Sequence, residues 1–249
     1  MRNKILMFYV LIIHWGVFAQ KSNLDSLNLN SKTPFKYQSL IVPSVLISYG
    51  LIGIESDGLK FFNTQIRDEV KEHIDTKFTI DDLSQYAPFL SVYALNSMGV
   101  RGKNGFKDGT IILGTAYIIM GVSVNGLKKI TAVERPDGSS NNSFPSGHTA
   151  TAFMGAAFLY QEYKDISIWY GIAGYVVATG TGIFRIYNNR HWLTDVAAGA
   201  GIGILSTKIA YWIHPVIKNK LFKHKESVNG VVFPFYNGRA YGISLALNF

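Results

Sequence analysis

The chain has no cysteine among its 249 residues. This absence excludes disulfides, thiolate metal sites and a cysteine nucleophile. Charged residues are scarce, at 16% of the chain against about 25% in a typical soluble domain, while 48% of the residues are hydrophobic. Histidine and carboxylate motifs at metal-ligand spacing, such as His-x-His or Glu-x-x-His, are also absent. The composition therefore favours a membrane-associated protein that holds no metal and needs no cofactor.

The charge that is present is mostly positive, with a formal net charge of +8. Such a balance suits anionic lipid headgroups or phosphorylated substrates, and on its own it would equally suit nucleic acid. No recognisable nucleic-acid-binding module accompanies it. We therefore expect the membrane and a phosphorylated ligand as partners and no nucleic acid; the oligomeric state is left open.

Apolar segments recur along most of the chain, at about 39–54, 85–100, 109–127, 147–160, 166–184 and 196–213. Small residues such as Gly199 and Gly203, four apart, suit helices that pack closely within lipid. A glycine-rich soluble bundle would have the same feature, but the long charge-poor run 166–184 favours the membrane. The predicted fold class is all-α, a membrane-embedded helical bundle with a short C-terminal β-hairpin.

The two ends of the chain differ from this pattern. Residues 1–19 resemble a secretory signal peptide, with Arg2 and Lys4 before an apolar run and cleavage expected after Ala19; an uncleaved anchor is the alternative. Residues 20–84 form a polar and amphipathic region, and residues 85–225 form the predicted core. Residues 226–249 contain two β-type runs around Asn237-Gly238, which predicts a hairpin.

Basic residues in short loops predict the orientation, because such clusters stay in the cytoplasm. Two clusters qualify: Arg101, Lys103 and Lys107, and then Lys218, Lys220, Lys223 and Lys225. Threading the helices from these anchors places residues 128–148 and 185–191 on the periplasmic side of a bacterial cell envelope. A cleaved signal peptide leaves residue 20 in the periplasm, so only one of the segments 39–54 and 85–100 can cross the membrane before the cytoplasmic cluster at Arg101. We predict that 39–54, interrupted by Pro43, is the segment that does not cross. The charged stretch 55–82 is interpreted as a pair of amphipathic surface helices.

Three short basic and histidine-bearing motifs follow one another in the middle of the chain. The first runs from Lys128 to Arg135-Pro136, the second is Pro145-Ser146-Gly147-His148, and the third runs from Arg185 through His191 to Asp195. A phosphoryl group in transfer spreads negative charge over three oxygens and needs fixed donors around them. The basic residues supply charge, and the glycine and the free N–H groups of a helix start can hold an oxygen. Ser146 is placed to cap that helix.

The histidines have complementary predicted tasks. His191 and Asp195 are four residues apart, so at a helix start they share one face and the carboxylate can fix the imidazole tautomer. The other ring nitrogen is then free to attack phosphorus. His148 is the candidate general acid for the departing alcohol, because an unperturbed imidazole titrates near pH ~6.5.

The motifs resemble those of the type 2 phosphatidic acid phosphatase (PAP2) and vanadium haloperoxidase superfamily, over roughly residues 109–213. The family pattern is Lys-x6-Arg-Pro, Pro-Ser-Gly-His and Ser-Arg-x5-His-x3-Asp, and every spacing fits. One position departs, because Phe184 stands where the family has serine. Since that serine is not a principal phosphate ligand in the family, the change is expected to alter packing around the site without abolishing activity.

The resemblance implies a metal-independent phosphatase that acts through a phosphohistidine. His191 would be the nucleophile, Asp195 its orienting carboxylate and His148 the acid and later the base. The implied phosphate-binding residues are Lys128, Arg135, Ser146, Gly147 and Arg185.

Several readings of the same residues stay open. A phosphorylated lipid is the first expected substrate: phosphatidic acid, phosphatidylglycerol phosphate, undecaprenyl diphosphate or lipid A. The alternatives are a periplasmic acid phosphatase for soluble substrates, a vanadate-dependent haloperoxidase, and a membrane binding or scaffold protein without turnover. Lys129 and Arg190 lie at the wrong offset for the motifs and are interpreted as surface charges. The polar loop 137–143 is predicted to rim the substrate entrance.

Overall fold

The computed structural model of the protein describes residues 37–73, 79–221, 229–236 and 241–248. Apart from the last two ranges, the described residues form helices and their connections, which confirms the predicted helical fold. A 3-10 turn at Tyr37–Leu40 leads into the first α-helix. The α-helices are α1 (Ile41–Glu55), α2 (Asp57–His73), α3 (Ile80–Ser84), α4 (Ala87–Ser97), α5 (Phe106–Thr131), α6 (Gly147–Tyr163), α7 (Ile168–Tyr187) and α8 (Leu193–Leu221).

Helix α6 lies at the centre, with most of its residues buried. It packs against α8 so closely that glycine is required at two positions. A Cβ on Gly199 would lie 2.4 Å from the Ser146 carbonyl oxygen, and one on Gly203 would lie 2.2 Å from that of Ala150. These distances are far below van der Waals contact, so the small-residue spacing predicted for close helix packing is confirmed. The core around this contact is apolar and includes Met154 and Phe158, both fully buried.

The helices run alternately up and down, and this brings the predicted motifs to one end of the bundle. The upper end consists of residues 53–57, 79–84, 131–148 and 185–195; the lower end consists of residues 98–108, 163–168 and 211–221. Helix α5 ends at the upper end, where Ala132 adopts a left-handed φ of 45° and terminates it. Helices α6 and α8 begin there, and α7 ends there. All three motifs therefore meet at the upper end.

Helix α1 is continuous where the sequence predicted an interruption at Pro43. Three helices of the described ranges are long and apolar enough to cross a membrane by length and composition: Tyr37–Glu55, Phe106–Thr131 and Leu193–Lys220. The first of these is the segment that was expected not to cross. Pro43 does not interrupt it because this residue lies in the first turn of α1, where its missing N–H removes no helical hydrogen bond. Helix α1 instead packs along α8, where a Cβ on Gly50 would lie 2.5 Å from the Ala198 Cβ.

The stretch 55–82 forms two helices of unequal kind. Helix α2 is long and amphipathic, as predicted, with Phe61 66% exposed. Helix α3 has only five residues; it lies at the surface, with Ile80 and Leu83 exposed, and buries Asp81, which is 1% exposed. Its hydrogen bond to α7, from Ser84 to Thr181 at 2.8 Å, fixes it at the upper end.

The C-terminal segment contains two strands, β1 (Asn229–Tyr236) and β2 (Tyr241–Asn248), which pair antiparallel from Asn229 with Asn248 to Tyr236 with Tyr241. The predicted Asn237-Gly238 turn between them lies outside the described residues. So do the predicted signal peptide 1–19 and the polar segment that follows it. These features stay predictions, as do the domain boundaries at 19, 84 and 225.

Candidate phosphoryl-transfer site

The buried centre of the upper end is the pair His191 and Asp195. Asp195 lies in the first turn of α8 and His191 just before it, so the predicted spacing brings the two side chains together. His191 Nδ1 lies 3.5 Å from Asp195 Oδ2, and both side chains are 2% exposed. Nε2 is the ring nitrogen that this contact leaves free for chemistry.

Two further groups hold the Asp195 carboxylate. The Ser143 hydroxyl donates to Asp195 Oδ2 at 2.5 Å and lies 3.4 Å from His191 Nδ1. The Trp192 backbone N–H donates to the same oxygen at 2.9 Å. Ser143 was not found from the sequence, because it belongs to a polar loop with no motif. The loop 137–143, predicted only to rim an entrance, thus also supports the carboxylate.

Beside this pair lies a cavity of about 300 Å³ lined by Thr79, Asp81, Asp82, Arg135, His148, Arg185, Asn188 and Arg190. Three residues of the predicted site line it: Arg135, His148 and Arg185. Lys128, Ser146 and Gly147 lie around it without lining it. The cavity has both signs of charge, which the sequence motifs did not indicate.

Arg185 is held by two residues outside its own motif. Its guanidinium forms a buried ion pair with Asp81, whose other carboxylate oxygen accepts a hydrogen bond from the Asn188 side-chain amide at 3.0 Å. Arg185 Nε is buried and has no acceptor in the described part of the chain. A buried donor without an acceptor is costly, and an anion in the cavity would satisfy it.

The first motif is anchored by the loop that follows it. Lys128 Nζ donates to the carbonyl oxygens of Asn142 and Ser143, the latter at 3.4 Å. Arg135 Nε donates to the Asn142 side-chain oxygen at 2.9 Å. Burial and the neighbouring Arg185 lower the pKa of Arg135, so cations are crowded at this edge of the cavity. An anionic ligand would relieve that repulsion.

The second motif begins α6 with Ser146 in the N-cap position, as predicted, but its hydroxyl does not cap the helix. It pairs instead with the Thr149 hydroxyl at 2.9 Å. The Ser146 backbone N–H donates to the Asp195 carbonyl oxygen at 3.0 Å. This bond ties the start of α6 directly to the start of α8, so the two histidine-bearing motifs hold a fixed relation.

His148 lies in the first turn of α6, with its side chain 30% exposed. Its Nε2 is 2.9 Å from Asp82 Oδ1, a partner that the sequence did not indicate. Burial, followed by the positive charge of Arg185, lowers the pKa of His148, while Asp82 acts in the opposite direction.

His191 has the stronger shift. Burial lowers its pKa to about 4, and Asp195 only partly offsets this effect. At neutral pH the His191 imidazole is therefore uncharged, which is the form in which a ring nitrogen can act as a nucleophile.

Arg190, interpreted from the sequence as a surface charge, lies at the cavity. Asn189, with a left-handed φ of 58°, turns the chain after α7, and Arg190 forms an ion pair with Asp137 at 3.1 Å. The turn, which the motif spacing does not indicate, therefore adds a third arginine to the cavity wall.

Asp81, Asp82 and His148 are the one group of three potential metal ligands in the described ranges, with ligand atoms within 4.8 Å of one another. Each already has a protein partner, since Asp81 binds Arg185 and Asn188 and Asp82 binds His148. The donor set fits an ion-paired wall of a basic cavity better than a cation site.

Comparison with known proteins supports the sequence resemblance. Residues 109–218 match the family model described as PAP2 superfamily. The chain is 40% identical over 173 residues to lipid A 1-phosphatase from Porphyromonas gingivalis, covering 65% of this chain and 38% of the relative. It is 33% identical over 99 residues to bacitracin transport permease protein BcrC from Bacillus licheniformis, covering 39% of this chain and 47% of that one. The chain thus spans less than half the length of these curated relatives.

Among solved structures, a transmembrane PAP2 type phosphatidylglycerolphosphate phosphatase from Bacillus subtilis is 21% identical with a TM-score of 0.48, covering 71% of this chain and 98% of that chain. The three motifs, their convergence at one end of a helical bundle and the match over residues 109–218 agree with one another. The chain is a membrane protein whose residues 109–218 match the PAP2 superfamily.

Proposed function

We propose that the protein is a metal-independent phosphatase that removes phosphate from a lipid through a phosphohistidine intermediate. In the first step His191 Nε2 attacks phosphorus, a nitrogen–phosphorus bond forms and the bond to the alcohol oxygen breaks. His148 gives the departing oxygen a proton. In the second step water attacks the phosphohistidine, neutral His148 takes the water proton, and phosphate and free His191 are released.

One observation carries this proposal: a buried, uncharged imidazole oriented by a carboxylate lies beside a cavity lined by three arginines. Such fixed cations stabilise the charge that develops on the transferring group, at about 3 to 4 kcal/mol for each donor. The buried Nε of Arg185, which has no protein acceptor among the described residues, supplies a donor for a phosphoryl oxygen. In our assignment Arg135, Arg185 and Lys128, with the α6 start at Ser146 and Gly147, surround the phosphoryl group.

A lipid substrate is proposed because the site lies at one end of a bundle with membrane-spanning helices, where a phosphate is reached by a molecule whose tails stay in the bilayer. Among phosphatidic acid, phosphatidylglycerol phosphate, undecaprenyl diphosphate and lipid A, the similarity to lipid A 1-phosphatase makes the 1-phosphate of lipid A the first to test. The phosphatidylglycerol and prenyl phosphates follow.

We further propose that the upper end faces the periplasm, because Arg101, Lys103 and Lys107 lie at the lower end. Helix α1 then begins on the cytoplasmic side, which conflicts with the predicted cleavage after Ala19, because a cleaved signal peptide leaves residue 20 in the periplasm. Single-cysteine labelling tests the orientation cleanly, since the chain has no native cysteine. Ser139→Cys in intact cells should react with an impermeant maleimide, whereas Asp165→Cys should react only after permeabilisation; the reverse pattern would invert the orientation.

The activity test is phosphate release by detergent-purified protein from lipid A, the other three lipids and a soluble aryl phosphate, with EDTA present throughout. Wild type and His191→Ala are compared. Release that survives EDTA and is lost in the variant supports the proposal and ranks the substrates. Preference for the aryl phosphate would favour a soluble-substrate phosphatase, and release that EDTA abolishes would contradict the metal-free mechanism.

A further inference from the structure

A second histidine–carboxylate pair, formed by His148 and Asp82, lies in the site. Asp82 Oδ1 is 2.9 Å from His148 Nε2, and both residues line the arginine-rich cavity. The two residues are 66 positions apart in the sequence. Asp82 belongs to none of the three motifs, so neither the motifs nor the spacing of the resemblance assigns it a role.

Asp82 is held in place from both sides. The preceding residue, Asp81, is bound to Arg185 and Asn188. Two residues after Asp82, the Ser84 hydroxyl bonds to Thr181 of α7 at 2.8 Å, and the Gln85 side chain donates to the Asp82 carbonyl oxygen at 2.9 Å. Because α3 is fastened to α7 at these points, the Asp82 carboxylate is presented to His148 at a fixed position.

The geometry points to Asp82 as the positioning residue for the general acid, which holds His148 through Nε2 so that Nδ1 delivers the proton to the leaving oxygen. This inference rests on the proposed phosphatase function. It makes the site a pair of histidine–carboxylate units that use opposite ring nitrogens. At His191 the carboxylate lies at Nδ1 and Nε2 attacks; at His148 the carboxylate lies at Nε2 and Nδ1 donates.

The proton balance follows directly. Before the first step His148 is an imidazolium, with Nε2–H donated to Asp82 and Nδ1–H directed to the leaving oxygen. As the bond from phosphorus to that oxygen breaks, the Nδ1 proton moves to the alcohol and His148 becomes neutral. Nδ1 then accepts a proton from the water that attacks the phosphohistidine, so His148 returns to the imidazolium. Asp82 stays a carboxylate throughout.

The charges around His148 explain why such a partner is needed. Arg185 faces it from α7 and disfavours its protonated form, as does burial, while Asp81 and Asp82 of α3 favour it. Arg135 and Arg190 line the same cavity. Since Asp81 is already paired with Arg185, Asp82 is the carboxylate that contacts the imidazole itself.

The test compares wild type, Asp82→Asn and Asp82→Glu by the pH dependence of kcat/KM on the aryl phosphate. We expect Asp82→Asn to lower kcat/KM about 10- to 100-fold near neutral pH, within the range of general acid catalysis. The basic limb of the variant's kcat/KM profile against pH should move about one pH unit lower, because the negative charge next to His148 is lost. The acidic limb should stay in place. Asp82→Glu should restore most of the activity. Asp165→Asn, an exposed aspartate at the lower end, is the matched charge control and should match wild type.

Two kinetic results would overturn the inference. A uniform loss across all pH values would mean that Asp82 only supports the fold. A lower KM in Asp82→Asn with an unchanged pH profile would mean that the Asp82 carboxylate competes with the substrate phosphate for the cavity.

A second measurement does not depend on turnover. In protein with isotope-labelled histidine, the His148 resonance, assigned with His148→Gln among the six histidines, should titrate at lower pH in Asp82→Asn than in wild type. Identical titrations would overturn the pairing. If wild type releases no phosphate from any substrate while the His148 titration still shifts in Asp82→Asn, that result would contradict the proposed function but not the pairing of His148 with Asp82.

Discussion

The two histidine–carboxylate pairs of the site have the same parts in different surroundings. His191 and Asp195 are both 2% exposed, and burial lowers the pKa of His191 to about 4. In the other pair the His148 side chain is 30% exposed and that of Asp82 is 59% exposed. In the proposed mechanism the same contact would serve different tasks: the buried pair would keep an uncharged imidazole oriented for attack, whereas the open pair would keep a proton available for the leaving oxygen.

The chain connectivity of the pairs also differs. The buried pair joins residues four apart at the start of α8, and a loop serine and a backbone N–H support it. The open pair joins helix α6 to the short helix α3. A change in α3 should therefore affect proton delivery by His148 while His191 stays oriented. Variants of the two pairs should differ accordingly.

The largest expected difference in kcat is between the Asp195→Asn and Asp82→Asn variants. An amide at position 195 can hold the wrong His191 tautomer, and the loss in kcat should be about 10⁴-fold, as in a related triad. At position 82 the loss should stay within about 100-fold. Single-turnover rates on the aryl phosphate measure both, and equal losses would remove the distinction between the pairs.

The pH dependence of activity should also distinguish the two histidines. His191 must be neutral, so activity should fall below its pKa of about 4. His148 must be protonated, and its pKa is lowered from 6.5, so activity should fall as the pH rises through a value below 6.5. A bell-shaped kcat/KM profile with an acidic optimum is expected. A rate that still rises above pH ~7 would contradict the assignment of the acid.

A smaller effect is expected from Ser143→Ala, which removes one of the two donors that support Asp195 Oδ2 beside His191 and leaves the Trp192 N–H. A loss of about 1.5 kcal/mol, typical of a hydrogen bond to a charged group, corresponds to about tenfold in rate. Ser91→Ala is the control, because the hydroxyl of this half-buried serine bonds only its own helix. If both variants retain wild-type kcat, Ser143 does not support the carboxylate.

The smallest effect is expected from Phe184→Ser, which restores the family residue beside Arg185. Phe184 is half-buried and packs edge-on against Tyr187, with ring centroids 6.1 Å apart. Because the aromatic ring packs on α7 without lining the cavity, the change in kcat should stay below about threefold, which is under 1 kcal/mol. A large gain in kcat would instead mean that Phe184 detunes the site.

Local sequence patterns predicted the pair of His191 and Asp195. The pair of His148 and Asp82 could not be predicted, because it depends on tertiary contacts. The spacing from His191 to Asp195 and the Pro-Ser-Gly-His start of α6 depend on helix geometry, which sequence alone specifies. Asp82 reaches His148 only because α3 packs on α7, a contact with no sequence signature. Pro43 misled the reading of 39–54, since a proline in a first turn looks like an interruption until the helix start is known.

Covalent labelling decides whether His191 is the nucleophile. Substrate carrying radioactive phosphate is mixed with wild type and His191→Ala and quenched in alkali within one turnover. We expect wild type to carry label that is stable in alkali, is lost in acid and maps to His191, and the variant to carry none. Label that survives acid, or that persists in the variant, would contradict His191 as the nucleophile.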